Sequence, residues 1–369
     1  MENSSATNGT SNPISRRRFL ARAGTGAVAM AAAPALISAC SSSGGSSGSS
    51  SSKEVVYAGF GGAYQDQITE AVLKPFQDAT GIKVTITTGA QNISTLKAMV
   101  DENKVQWDIM DTNTALLAEA ISSGVLQKVD YSKVPGISDL ETKSLASTYG
   151  LGYYTFSDNL YWNTKGFQGT PTSWADVYDT QKFPGKRGFT NDAEGNLEIA
   201  VMAAGVPIDK VYPIDLDLAF NQLDKIRSSA VFLDDTALQN EMAQQDVVVG
   251  CEPLSRTKAA AKAGAPLTYT WSQAIIDVNS FAIPAKAPHP ENALKLMQFA
   301  LQPTQQLAIL RILGYGPVTK AAFKQLSPAQ LADMPGSPQN APQNLFFNSE
   351  WYAQNGTAVT DRFQKWLVA

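Results

Sequence analysis

The sequence predicts an α/β protein whose body forms two lobes, each a mainly parallel sheet flanked by helices. Three observations lead there. From Val55 onward, short apolar runs alternate with amphipathic stretches, the pattern of parallel strands joined by crossover helices. The ~317 residues from Lys53 to Ala369 exceed one usual hydrophobic core. The second half repeats the alternation less cleanly, so the chain is expected to cross between lobes more than once.

Two segments precede the body. Ser15-Arg16-Arg17-Arg18-Phe19-Leu20 stands just ahead of an Ala-rich apolar stretch from Ala27 to Ile37, the arrangement of a twin-arginine export signal. That stretch is too short and too alanine-rich to span ~30 Å of hydrocarbon well. In Ile37-Ser38-Ala39-Cys40 an aliphatic residue lies three before a cysteine with small residues between, as lipoprotein processing requires. Cys40 is therefore expected to be the lipidated first residue of the mature chain. Ser41 to Ser52 holds only Ser and Gly, too polar to bury anything, and reads as a tether. Residues 1–39 are read as signal peptide and 40–53 as lipidated tether. The body would then work in the periplasm or at the outer face of the cytoplasmic membrane, held by lipid alone.

Composition narrows the chemistry. After residue 39 there are 25 basic and 32 acidic side chains, a balance that argues against nucleic acid or an anionic membrane surface and suits cationic solutes. Only Cys40 and Cys251 are present, so neither an internal disulfide nor a cysteine metal cluster is expected. The single histidine, His289, lies between Pro288 and Pro290 in an expected loop, which disfavours a His-based metal site or a Ser-His-Asp hydrolase. No cofactor is implied, and no phosphate-binding P-loop is present.

Element by element, Val55 to Ala58 reads as a strand, then a helix carries Tyr64, Ile68, Val72 and Phe76 on one face and closes at Gly81. A strand alternating through Val84 and Ile86 follows, then a helix with Ile93, Leu96 and Val100. Trp107 to Asp111 is extended, and a helix with Leu117 and Ile121 stops at Gly124. Later, 198–204 and 217–226 read as helices, Val247-Val248-Val249 as a buried strand, Ser280 to Ile283 as a strand halted by Pro284, and 292–301 as an amphipathic helix.

Several strings, in order, resemble the extracytoplasmic solute-binding proteins of ABC importers, in particular the spermidine/putrescine-binding branch. They are FGGAYQD at Phe60, PFQDATGIKV at Pro75, GVLQKVD at Gly124, TSWADVYDTQKFPGKRGF at Thr172, LEIAVMAAGV at Leu197, VYPIDLDLAF at Val211 and GYGPVTKAAF at Gly314. The resemblance implies a type II periplasmic-binding-protein fold, with solute held between hinged lobes. It also implies no enzymatic step, a monomer, and delivery to a permease whose ATPase is a separate chain. Lobe 1 is expected over 54–156 and again over 280–325, lobe 2 over 157–279, with a C-terminal helical segment, 326–369, packing on the lobes.

The resemblance and the residues together nominate a binding set. Phe60-Gly61-Gly62-Ala63-Tyr64 joins the first strand to the first helix, where open α/β sheets bind ligands, although a Gly-Gly turn also serves tight geometry alone. Thr112-Asn113 either caps the next helix or contacts solute, and the two roles are compatible. Tyr154 to Asn163 is the expected first crossing, with Asp158 paired either to an arginine or to a ligand ammonium. The loop carrying Asp192 and Glu194 matches the acidic loop of polyamine binders, with Asp192 the better candidate of the two, although acids in such a loop are by default simply solvated.

Two departures from that branch stand out. Gly250-Cys251-Glu252-Pro253 replaces a Trp-Asn-Gly run, and Asp277-Val278-Asn279 replaces Trp-x-Asp ahead of Ser280-Phe281-Ala282-Ile283-Pro284. The aromatic box that would supply cation–π attraction, ~0.5–2 kcal/mol per contact, is depleted. Asp277, Glu252 or Asp234 is then expected to meet the ammonium. A polyamine such as spermidine or putrescine is the first solute class; an amino acid or γ-aminobutyrate-like zwitterion is the alternative, as is a sensor or adhesion role for the same scaffold. Tyr315-Gly316-Pro317 resembles a segment near the cleft, or is simply a turn.

Overall fold

In the computed structural model, residues 53–167 and 169–369 are described. Arg16 to Arg18, Cys40 and the Ser/Gly run lie outside them, and among the described residues no helix is long and apolar enough to cross a membrane.

The chain opens with β1 (Glu54–Gly59), then α1 (Gly62–Ile68), which continues through a π turn into α2 (Lys74–Thr80) and stops at Gly81 in the left-handed conformation. Next come β2 (Lys83–Thr88), α3 (Ile93–Asp101), β3 (Ile109–Thr112) and α4 (Thr114–Ser122). As the alternation requires, β2, β1 and β3 are parallel neighbours in that order. Ile86 is exposed because β2 is the edge strand, so the Val84/Ile86 alternation does not mark a buried face there.

The long β4 (Gly150–Asn163) contains the expected crossing and begins four residues before it. Beyond it lie α5 (Trp174–Tyr178), β5 (Arg187–Thr190), α6 (Asn196–Ala203), α7 (Leu216–Ile226), β6 (Ala230–Leu233), α8 (Asp235–Gln244), β7 (Val249–Pro253), α9 (Leu254–Lys262) and β8 (Leu267–Tyr269). The strand expected at 247–249 starts only at Val249 and runs on to Pro253. Here β7, β5 and β6 are again parallel neighbours. The strand expected at 280–283 is β9 (Ile275–Ala282), longer and antiparallel to both β3 and β4. Its local pattern resembled the other strands because direction leaves no mark on apolar spacing.

The remainder is α10 (Pro290–Ala300), α11 (Pro303–Leu313), α12 (Lys320–Phe323), α13 (Pro328–Ala332), the short β10 (Leu345–Phe346) and α14 (Ser349–Val368). His289 is not in an open loop: it precedes α10, with its Nδ1 3.0 Å from the buried Asp108 carboxylate. One hydrophobic cluster gathers β1, α1, α2, α10 and α11 around Tyr57, Phe76, Leu151 and Phe281. Another gathers α5, α6, α7 and the end of α14 around Trp174, Phe189, Phe220 and Phe363. β4 contributes Leu151 and Tyr153 to the first and Leu160 and Trp162 to the second, so a single strand serves both parts of the two-lobed α/β fold.

β5 and β7 approach closely at Gly188 and Gly250, which are register partners. A Cβ on Gly250 would stand 1.9 Å from the Gly188 carbonyl oxygen, a backbone atom that cannot swing away. Gly250→Ala is expected to destabilise the fold by ~2 kcal/mol or more through forced strand separation, read as a lower urea midpoint. An unchanged midpoint would show that the two strands have room to spare.

Candidate functional site

Directly opposed residues in an antiparallel pair share a face. Tyr154 opposes Asn279, Phe156 opposes Asp277, and Asp158 opposes Ile275, so β4 and β9 together present two aromatic rings, two carboxylates and an amide on one surface. Tyr315 lies on it, stacked on Tyr154 with centroids 4.6 Å apart and planes 7° apart, and tilted against Phe156 at 6.0 Å. A cavity of about 1090 Å³ is lined by Phe156, Pro253, Arg256, Tyr315 and Met334.

Asp277 stands at the start of α4. Its Oδ1 accepts the Thr114 backbone N–H at 3.2 Å, the Thr114 hydroxyl and the Val278 N–H at 2.6 Å. The helix dipole favours a negative charge here, yet burial pushes the carboxyl above the usual range. Asn113 caps α4, accepting from Leu116 N–H at 2.9 Å, which realises the capping half of its expectation. Thr112 is buried and donates to the Ser280 carbonyl at 2.9 Å, tying β3 to β9.

The acid loop lies between β5 and α6. Asp192 is exposed and Glu194 half-buried. Burial raises the Glu194 carboxyl, and the charges of Asp192 and Asp277 raise it further. Glu194 and Asp277 therefore repel one another although they come from different elements. Glu194 also lines a groove of about 540 Å³ with Phe60, Gln91, Asn113 and Tyr352. Four residues on, Glu198 is wholly buried and pushed up to about 7, chiefly by burial.

Other nominated residues fall elsewhere. Gly61 and Gly62 both have positive φ, 83° and 64°, and the Gly61 N–H donates to Gln65 Oε1 at 3.0 Å, so these glycines serve the turn that starts α1. Asp234 caps α8, accepting from Thr236 and Ala237 N–H groups, and lines none of the cavities described here. Glu252 is buried on β7, opposite Asn159; burial, and then the charges of Asp158 and Glu252, push the Cys251 thiol upward.

A centre that the sequence reading missed is Asp111. It is fully buried at the end of β3 and collects four donors: Tyr57 and Tyr64 hydroxyls on Oδ2 at 2.8 and 2.6 Å, and the Tyr153 hydroxyl and Asn279 Nδ2 on Oδ1 at 3.0 and 2.8 Å. The Tyr64 hydroxyl in turn accepts from Tyr154 at 2.9 Å and from Asn279 at 3.1 Å. Asn279 and Tyr64, both nominated for solute, are thus anchored to a carboxylate beneath the cleft, with Tyr64 packed edge-on to Phe60. The available signal was an acid at the end of the extended run from Trp107 to Asp111.

Residues 71–338 match the profile of a family described as bacterial extracellular solute-binding protein. The γ-aminobutyric acid-binding protein of Pseudomonas aeruginosa is 27% identical over 315 residues, 84% of this chain and 89% of that protein. The spermidine/putrescine-binding periplasmic protein of Escherichia coli is 26% identical over 305 residues, 80% and 86% of the two chains. Among solved structures, an ABC transporter substrate-binding protein from Bradyrhizobium japonicum superposes with a TM-score of 0.75 at 30% identity, covering 85% of this chain and 99% of that one. The chain belongs to the bacterial extracellular solute-binding protein family.

Burial pushes Asp111 up to about 6 and Glu198 to about 7. A carboxyl raised in the folded state holds a proton that the unfolded chain releases near ~4, so stability falls as pH climbs from there through the folded values. The ligand-free melting midpoint is accordingly expected to be higher at about pH 5 than at about pH 7.5. Asp111→Asn should flatten part of that slope and lower stability by ~1–3 kcal/mol, because tyrosine donors lose their acceptor. Calorimetry at the two pH values checks both; a midpoint that rises with pH would refute the assignment.

Proposed function

From that membership we propose that the chain is the solute-receiving component of an ABC importer, capturing a small amine-bearing solute between its lobes and passing it to a permease driven by a separate ATPase chain. The observation that carries the solute class is the pair Asp277 and Glu194, two carboxylates from different elements, each raised by burial, with the charge of the first also raising the second. A bound ammonium relieves both costs at once through charge-assisted hydrogen bonds. The Tyr154–Tyr315 stack and Phe156 give the carbon chain an apolar wall.

Relatives named for γ-aminobutyrate and for polyamines both fit an amine. Within that class, one feature favours the zwitterion. The cavity that Phe156 and Tyr315 line carries Arg256, Lys258 and Arg311 beside the single acid Asp333, whereas Glu194 lines a separate groove with Phe60 and Asn113. A γ-aminobutyrate-like solute, with ammonium toward Asp277 and Glu194 and carboxylate toward Arg256, matches that polarity. Asn279 is neutral and already donates to Asp111, which leaves the β9 wall with the single carboxylate of Asp277.

The proposal includes no covalent step. Closure follows from solute contacts that bridge both lobes and so stabilise the closed state over the open one. On this reading the lobe boundaries expected near 156 and 279 lie within β4 and β9. The twin-arginine segment and Cys40 would export the chain and anchor it by lipid.

A thermal-shift screen of the purified chain against γ-aminobutyrate, putrescine, spermidine, α-amino acids, sugars and simple anions tests the solute. A solute at a hundredfold its Kd adds ~2.7 kcal/mol of stability, enough to displace the midpoint visibly. Asp277→Asn is expected to weaken the best amine by ~1.5–3 kcal/mol, or tenfold and more. Affinity should rise with pH as the raised carboxyls of Asp277 and Glu194 ionise, since protons compete with the ammonium. A response confined to sugars or anions would sink the amine assignment.

A further inference from the structure

The acid loop is held from β6, where the Leu233 carbonyl accepts the Asn191 N–H at 2.9 Å, and from the far end of the chain, where Gln364 Nε2 donates to the Asn191 carbonyl at 3.1 Å. Glu198 Oε2 accepts the Gly195 N–H at 2.9 Å, fixing the loop where Gly195 turns with φ 84°. Its Oε1 accepts the hydroxyls of Tyr212 at 2.7 Å and Tyr352 at 2.6 Å. Tyr352 belongs to the first turns of α14 and is 3% exposed, so its hydroxyl has no water to turn to if Glu198 moves. Phe347, just before that helix, covers Gly195: a Cβ there would meet its ring at 3.9 Å. Two residues before Tyr352, Glu350 accepts the Thr148 backbone N–H at 2.7 Å, a contact with the segment that leads into β4. The far end of α14 is fixed by Phe363 and Trp366 against Phe220 and Phe232.

We propose that Tyr352 is a positioning residue for solute capture: through Glu198 it sets the loop that carries Asp192 and Glu194, and with Glu350 it makes the first turn of α14 a latch between that loop and the Thr148 segment. The inference rests on the reading above that Glu194 faces the solute. Mobility in loop 191–195 matters because Glu194 can pair with an ammonium only within hydrogen-bond reach, so loosening its support spreads it over unproductive positions.

The groups facing Glu198 are Glu194 and the Gly195 N–H on its own side, Tyr212 from the segment before α7 and Tyr352 from α14; Asp192 and, from β9, Asp277 act on Glu194. The two tyrosine hydroxyls hold the Glu198 carboxyl down against burial and the Glu194 charge. Removing one hydroxyl therefore moves its titration upward, and at neutral pH the loop's N–H then faces an uncharged acceptor.

The test compares the full chain with its Tyr352→Phe variant, using γ-aminobutyrate and putrescine as probes. At about pH 8 the variant should bind more weakly by about tenfold, the loss of one hydrogen bond to a charged group, with the gap narrowing at about pH 6 where Glu198 is protonated in both. Equal affinity, or one constant factor at every pH, overturns the positioning role. Glu350→Ala severs the Thr148 side alone and is expected to weaken binding while Glu198 titrates as in wild type; unchanged affinity there removes the latch. Carboxyl NMR of Glu198 without solute separates this proposal from the solute assignment. A wild type that binds neither probe refutes the γ-aminobutyrate and putrescine readings, whereas Glu198 titrating identically with and without the Tyr352 hydroxyl refutes this one.

Discussion

The cleft depends on the antiparallel pairing of β4 with β9. These strands run through both halves of the sheet, and their register sets which side chains look outward: Tyr154 with Asn279 and Phe156 with Asp277. Because strand faces alternate with a period of two, a slip of one residue would turn those groups away and present Thr155 and Val278 instead. One irregularity is built in. The register shifts between Gly152 and Tyr154, and a bulge bends the strand so that consecutive residues need not face opposite ways. Tyr153 and Tyr154 both reach the Asp111 network in consequence, the first on Asp111 and the second on Tyr64. Gly152 permits the approach, since a Cβ there would stand 2.4 Å from Val278 Cγ1 and 2.9 Å from the Leu145 carbonyl oxygen.

Buried carboxylates divide into two kinds by what surrounds them. Asp111 and Glu198 are ringed by hydroxyl, amide and backbone donors, the condition under which a charge tolerates burial. They organise the site from beneath. Asp277 and Glu194 differ from these, since Thr114 and Val278 donate to Asp277 while Glu194 feels the like charges of Asp192 and Asp277. On the amine reading proposed above, the same desolvation that costs stability in the free protein would become a source of affinity for an ammonium. Supporting network and receiving surface touch at Asn279 and at Glu198, which couples the firmness of the scaffold to the geometry of capture.

Part of this was legible in the residues. The helices at 62–80, 93–101, 114–122, 196–203, 216–226 and 290–300 match their apolar spacing, and the first four their Gly or Asn punctuation, because helix periodicity and capping are local properties. Asp277 and Glu194 were nominated and are brought within electrostatic reach of one another. Asp234 was nominated on the same grounds, yet its oxygen caps α8, and nothing in a run of acids tells a cap from a ligand. Asp111 went unnoticed because its partners sit 54, 47, 42 and 168 residues away.

The sequence by itself determined the α/β class, the parallel order of each half through its alternating strands and helices, the acidic character of the body and the resemblance that points to solute binding. Tertiary structure alone decided the antiparallel course of β9, the pairing of tyrosines and asparagine around Asp111, and the hold of the C-terminal helix on the acid loop. The physical reason is range. Backbone periodicity, capping and turn chemistry act over a few residues and leave a trace in each short window, whereas strand direction and buried hydrogen bonds join residues that are neighbours only after the chain has closed on itself.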